Sequence, residues 1–83
     1  MVRENLKKAR RAAGMTQQQM ADRLEISLRY YQNIESGTRT GDFTIWDTLE
    51  DITGIHQRVL REISANHHGQ EDNQWIHQVY QQF

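Results

Sequence analysis

The chain has 83 residues, 36% of them apolar, enough for one small domain with a small core. It has no cysteine, which excludes disulfides, iron–sulfur clusters and thiolate zinc sites, and no proline, which leaves helices uninterrupted and favours an all-α fold. The net charge of −1 averages two unlike halves: residues 1–40 carry eight basic and four acidic side chains, net +4, and residues 41–83 carry two and seven, net −5, a polarity suited to presenting one end to a polyanion.

Leu6, Ala9 and Ala13 recur at helical spacing and predict a first helix over residues 3–13, closed by Gly14. Thr16 is placed to cap a second helix, and Gln19 three residues on completes a capping box. Met15 before that cap and Met20 after it have the spacing of a hydrophobic staple. Ser27 is placed to cap a third helix, Ile26 and Tyr31 repeat the staple, and Gly37 supplies a left-handed end. Only Glu25 and Ile26 separate these two helices, which is the build of a helix-turn-helix. Such a unit lays its second helix in the major groove of DNA.

Residues 38–43 read as a loop. Thr44 is predicted to cap a fourth helix, with Asp47 at its third position, a stripe of Ile45, Leu49 and Ile52 widened by Trp46, and Gly54 at its end. A fifth helix is expected over residues 56–65, with Val59, Leu60 and Ile63 on one side. After a polar break at 66–70, Trp75, Ile76, Val79, Tyr80 and Phe83 fall on one face of a short sixth helix. The division is a domain over residues 1–66 and an apolar tail over 67–83.

On the third helix, Leu28, Arg29, Tyr30, Gln32 and Asn33 are the residues placed to reach base edges. Arg29 suits the O6 and N7 acceptors of guanine, Gln32 and Asn33 suit adenine, and Leu28 or Tyr30 suits a thymine methyl. Nothing points to catalysis: there are no paired acids, no Ser-His-Asp order and no phosphate-cradling glycine loop. His67 and His68 read as loop residues, and His56 and His77 lack a partner at ligand spacing, so neither a metal nor a cofactor is expected. No signal peptide or membrane-spanning run is apparent, so a cytoplasmic protein is expected.

The segments LKKARRAAGMTQQQMADRL, IS at the cap of the third helix, and IESGTR resemble the Cro/C1-type (Xre-like) helix-turn-helix domains of phage repressors and bacterial regulators. The resemblance covers residues 5 to about 60. It implies a five-helix lambda repressor-like domain, bacterial or phage-encoded. It also implies phosphate contacts from Thr16 and Gln17 at the start of the second helix and from Ser36, Thr38 and Arg39 at the end of the third. Arg10 and Glu35 stand where phage members pair an arginine and a glutamate across the core. Tyr31 stands where the family buries an aliphatic residue, so it is expected to be mostly core with its hydroxyl at the surface. Departures are Glu25 where the family has glycine, Gly41 where it has proline, and Glu50 and Thr53 in the seam of the fourth helix.

The combined reading is a sequence-specific regulator of transcription that binds double-stranded DNA, a phage- or plasmid-type repressor acting on a palindromic operator. Ile55, Val59, Leu60, Ile63, Trp75, Val79 and Phe83 are expected as dimer or tail contacts: the tail either folds back on the first and fifth helices or buries against a second subunit. The second arrangement, a homodimer, is favoured because two half-sites are read by two subunits. Two alternatives remain: the antitoxin of a toxin–antitoxin pair, with the tail holding a protein partner, and an interaction module that reuses the scaffold without DNA.

Overall fold

The computed structural model describes residues 2–64. Within them five helices follow in the expected order: α1 (Glu4–Ala12), α2 (Gln17–Leu24), α3 (Leu28–Ser36), α4 (Phe43–Thr53) and α5 (Gln57–Leu60). The domain is all-α. The β-type pairing among the described residues is one isolated antiparallel bridge between Val2 and Ser64. No helix among them is long and apolar enough to cross a membrane. The expected sixth helix, with Trp75, Val79 and Phe83, lies outside the described residues, as does the boundary at 66/67.

Local chemistry builds α2 and α3. Thr16 Oγ1 accepts the Gln19 N–H at 3.1 Å, and the Gln19 side chain accepts the Thr16 N–H at 2.9 Å, so the capping box is complete. Ser27 Oγ accepts the Tyr30 N–H at 3.1 Å, and Gly37 ends α3 at φ 86°. Met20 and Tyr31 are buried, with Met15 and Ile26 packed on the same core, as the staple spacing requires. In the turn, Glu25 has φ 59° and ψ 42°, and it is the one non-glycine residue with positive φ among those described. The backbone therefore keeps the left-handed turn that glycine makes without strain, and the exposed glutamate adopts it at a cost of about 1 kcal/mol.

The edges of α1, α4 and α5 differ from expectation for identifiable reasons. Arg3 is the N-cap of α1 rather than its first residue, and its amide donates to Glu35 O at 2.8 Å. The cap of α4 is Asp42, not Thr44: its carboxylate accepts the Ile45 N–H at 3.0 Å, and aspartate is the stronger cap. The loop before it passes through Gly41 at φ 79°, a value closed to the proline that the resemblance would place there. A Cβ at that position would stand 3.3 Å from both Ile34 Cδ1 and Trp46 Nε1. Helix α5 is one short turn, capped by His56, and does not reach residue 65. Beyond it the chain extends so that Ser64 exchanges backbone bonds with Val2, at 2.7 and 3.3 Å. Long-range pairing thus replaces the helical bonds that the apolar spacing suggested.

Helix α1 packs on α3, α4 and α5, and α2 packs on α3 and α4. The core they enclose includes Leu6, Met20, Tyr31, Ile34, Leu49, Ile55 and Leu60, each fully buried. The expected dimer or tail contacts divide here. Ile55, Val59 and Leu60 are 0%, 6% and 0% exposed within their own subunit and so belong to its core. A domain with so few apolar residues needs them to close its core. Ile63 alone of that set stays partly open among the described residues, at 38%.

Within this core lies an ion pair. Arg10 Nε stands 2.7 Å from Glu35 Oε2, with the two side chains 8% and 4% exposed. Arg10 Nη1 also donates to Met15 O at 2.8 Å, which ties down the α1–α2 turn. The Tyr31 hydroxyl donates to Glu35 Oε2 at 2.6 Å. It is buried rather than at the surface, because Glu35 lies one helical turn along on the same face. Burial, then the bond to Glu35, raises the Tyr31 pKa above the ordinary phenol value, so the hydroxyl remains a donor. Burial by itself would lower the Arg10 pKa, but the hydrogen bond and charge of Glu35 outweigh it and raise it.

Two stability outcomes are expected. Glu25→Gly should raise the urea midpoint, by up to about 1 kcal/mol of stability, whereas the β-branched Glu25→Val should lower it. Glu35→Ala should cost about 3–5 kcal/mol by leaving Arg10 buried and unpaired. Glu50→Ala, which loses a 3.2 Å bond from Gln57 at a half-buried site, should cost less than about 1 kcal/mol. Equal midpoints for the last two variants would show that the Arg10–Glu35 pair contributes little.

Candidate nucleic-acid interface

Helix α3 divides cleanly by exposure. Tyr31, Ile34 and Glu35 point into the core, while Arg29, Gln32 and Ser36 are exposed at spacings of three and four residues. Asn33 lies beside that exposed row and is half-buried. Leu28 and Tyr30 flank it, both half-buried, and Tyr30 packs against the core. Of the five residues expected to meet bases, four therefore lie on or beside the open face, and Tyr30 leans away from it. Arg29 and Asn33 make no side-chain hydrogen bond with the other described residues.

Gln32 is engaged. Its Nε2 donates to Gln17 Oε1 at 3.2 Å, and Gln17 Nε2 donates in turn to Glu35 Oε1 at 3.0 Å. A relay of side-chain amides thus runs from the open face of α3, through the start of α2, to the buried carboxylate. Gln17, Gln32, Glu35 and Ser36 line one small cleft of about 110 Å³ with Lys7 of α1. The sequence reading did not single out Lys7. Its spacing on α1 marks it as half-exposed, but only the packing of α1 against α3 brings it to this rim.

The second group of expected phosphate contacts lies just past α3. Ser36 Oγ donates to Asn33 O at 3.1 Å and lies 3.0 Å from Thr38 Oγ1. The Arg39 amide donates to Asn33 O at 3.0 Å, folding the turn back on the helix end and leaving the Arg39 side chain exposed. Thr16 is exposed, with its oxygen committed to the cap of α2. The structure thus gathers Gln17, Gln32 and Ser36 at one cleft, and Ser36, Thr38 and Arg39 in the adjoining turn.

Sequence reasoning missed Arg3. Its side chain is buried, with Nη1 donating to Ile34 O at 2.6 Å and Arg39 O at 2.9 Å, and Nε donating to Arg61 O at 3.0 Å. The guanidinium lies 5.2 Å from the centre of the Trp46 ring. Burial, and then the charge of Arg61, lower its pKa from the ordinary arginine value. No local signal could have revealed it, because its partners are carbonyls at the ends of α3 and α5, far away in the chain. Asn5 was missed for the same reason: its Nδ2 donates to Val59 O at 3.2 Å. The basic half is accordingly less basic at its surface than its sequence suggests, since Arg3 and Arg10 are buried structural groups.

A search of solved structures gives no match to the chain. A curated protein of Bacillus subtilis (strain 168), the uncharacterized HTH-type transcriptional regulator YqaE, is 35% identical over 66 residues, which is 80% of this chain. The match covers 57% of that relative's own length. The profile of the helix-turn-helix family matches residues 6–56, from Leu6 of α1 to the cap of α5. The chain belongs to this helix-turn-helix family, of the Cro/C1 type.

Proposed function

We propose that the chain binds double-stranded DNA with sequence preference and regulates transcription, with α3 in the major groove. The observation that carries this reading is the open face of α3, where Arg29, Gln32 and Asn33 stand beside polar groups from the start of α2 and the turn after α3. In this reading Arg29 forks to guanine O6 and N7, Asn33 and Gln32 read adenine, and Leu28 meets a thymine methyl. Gln32 releases the Gln17 carbonyl when it turns to a base. Thr16, Gln17, Ser36, Thr38 and Arg39 hold phosphates and set the register. Tyr30 supports the helix from the core side. The similarity to the Bacillus relative, named as an HTH-type transcriptional regulator, supports this role.

The finer form of the proposal is a repressor of phage or plasmid type on a near-palindromic operator. Two subunits would place their recognition helices about 34 Å apart, one turn of duplex. With Ile55, Val59 and Leu60 committed to the core, the apolar groups available for such a dimer among the described residues are Phe43, 78% exposed, and Ile63. Phe43 and Arg61 line the same small cleft, so the exposed ring lies near the end of α5.

Selection of bound duplexes from a random pool, with footprinting, is the direct test. Arg29→Ala should then weaken the selected site by about 1–3 kcal/mol and relax preference at one base pair per half-site. Arg39→Ala should weaken all duplexes alike and lower the salt slope by roughly 1. If wild type binds no duplex at low salt, the DNA-binding reading is wrong. For assembly, sedimentation over a concentration series should show self-association that Phe43→Asp with Ile63→Asp reduces. A monomer at high micromolar concentration that protects a single half-site would rule out the dimer.

A further inference from the structure

We propose that Arg3 is a positioning residue for the phosphate-binding turn over residues 36–39, a role that rests on the DNA-binding reading above. The last carbonyls of a helix lack partners within it, and the helix dipole makes that end negative. Arg3 meets that end of α3 twice, with its amide on Glu35 O at 2.8 Å and Nη1 on Ile34 O at 2.6 Å. The same Nη1 reaches Arg39 O at 2.9 Å. The Arg39 backbone is therefore held from both sides, its N–H by Asn33 O and its carbonyl by Arg3.

Trp46 completes the arrangement. Its ring lies under the guanidinium, and its indole N–H donates to Thr40 O at 2.7 Å, fixing the next residue of the loop. The third side-chain bond of Arg3, from Nε to Arg61 O, anchors the guanidinium to the end of α5. A planar fork with several directed donors can serve these carbonyls together, and a lysine ammonium cannot match that geometry. What Arg3 holds is the main chain from which the exposed Arg39 and Thr38 side chains project. With the backbone held, Arg39 has less freedom to lose when it meets a phosphate.

The test compares Arg3→Met, Arg3→Lys, Arg39→Ala and the double variant Arg3→Met/Arg39→Ala. Each is first checked for helical content by circular dichroism, then measured for binding to random-sequence and selected duplexes across a salt series. Arg3→Met should be less stable. Where folded, it should weaken every duplex alike, roughly eightfold at 0.1 M salt, and lower the salt slope by about 1 with base preferences unchanged. The double variant should bind about as well as Arg39→Ala, because both changes remove one contact. Arg3→Lys should restore only part of the slope, and it carries the comparison if Arg3→Met does not fold.

A folded Arg3→Met with wild-type slope, an additive double variant, or full restoration by lysine would overturn the proposal. Amide hydrogen exchange separates this failure from failure of the DNA-binding reading, because it needs no DNA. In the Arg3 variants the Arg39 amide should lose protection while those of Met20 and Ala21 keep theirs. Unchanged protection at Arg39 overturns the positioning role whatever the chain binds, and loss of protection without duplex binding by wild type overturns its service to phosphate contacts.

Discussion

The arrangement of α1, α2 and α3 turns on a single buried carboxylate. Glu35 accepts from Arg10 of α1, Gln17 of α2 and Tyr31 of its own helix. Three helices therefore meet at one group, and their relative tilts decide where the open face of α3 points. Taking a charge pair out of water is costly, and its attraction in a poorly polarisable interior roughly repays that cost when the geometry is good. The net stabilisation is therefore modest, but any other packing would strand a charge. The pair narrows the packings open to these helices more than it deepens the energy of the native one.

The two buried arginines solve the problem of burial differently. Arg10 is matched by a full negative charge. Arg3 sits among carbonyl dipoles at the negative end of α3, over the face of an indole ring. The opposite directions in which their pKa values move follow from that contrast. Both belong to the stretch of sequence that looked like a basic patch, yet neither offers charge to a ligand. The surface cations of that half are Lys7, Lys8, Arg11, Arg23, Arg29 and Arg39, all half- or fully exposed.

A small core also determines what is left for association. The short α5 gives Val59 and Leu60 to the interior, and Ile55 joins them from the loop before it. Apolar spacing marks residues that must be covered, but it does not say by what. Here the subunit covers them itself, and among the described residues the most exposed large apolar side chain is Phe43, which entered α4 because Asp42 capped that helix earlier than Thr44 would have.

What the sequence determined by itself was whatever depends on near neighbours. The caps at Thr16 and Ser27, the staples, the left-handed end at Gly37 and the open row on α3 all follow from residues a few positions apart. So did the helix-turn-helix, because its turn is short enough for local bonds to specify it. The Arg10–Glu35 pair was legible through resemblance, though not its extension to Gln17 and Tyr31. The tertiary structure alone decided the length of α5, the burial of the Tyr31 hydroxyl, the leaning of Tyr30 toward the core and the role of Arg3. Each depends on backbone groups brought together from distant parts of the chain: Val2 with Ser64, Arg3 with Ile34, Arg39 and Arg61. A carbonyl is the same atom in every residue, so the sequence carries no mark of which one a distant side chain will find.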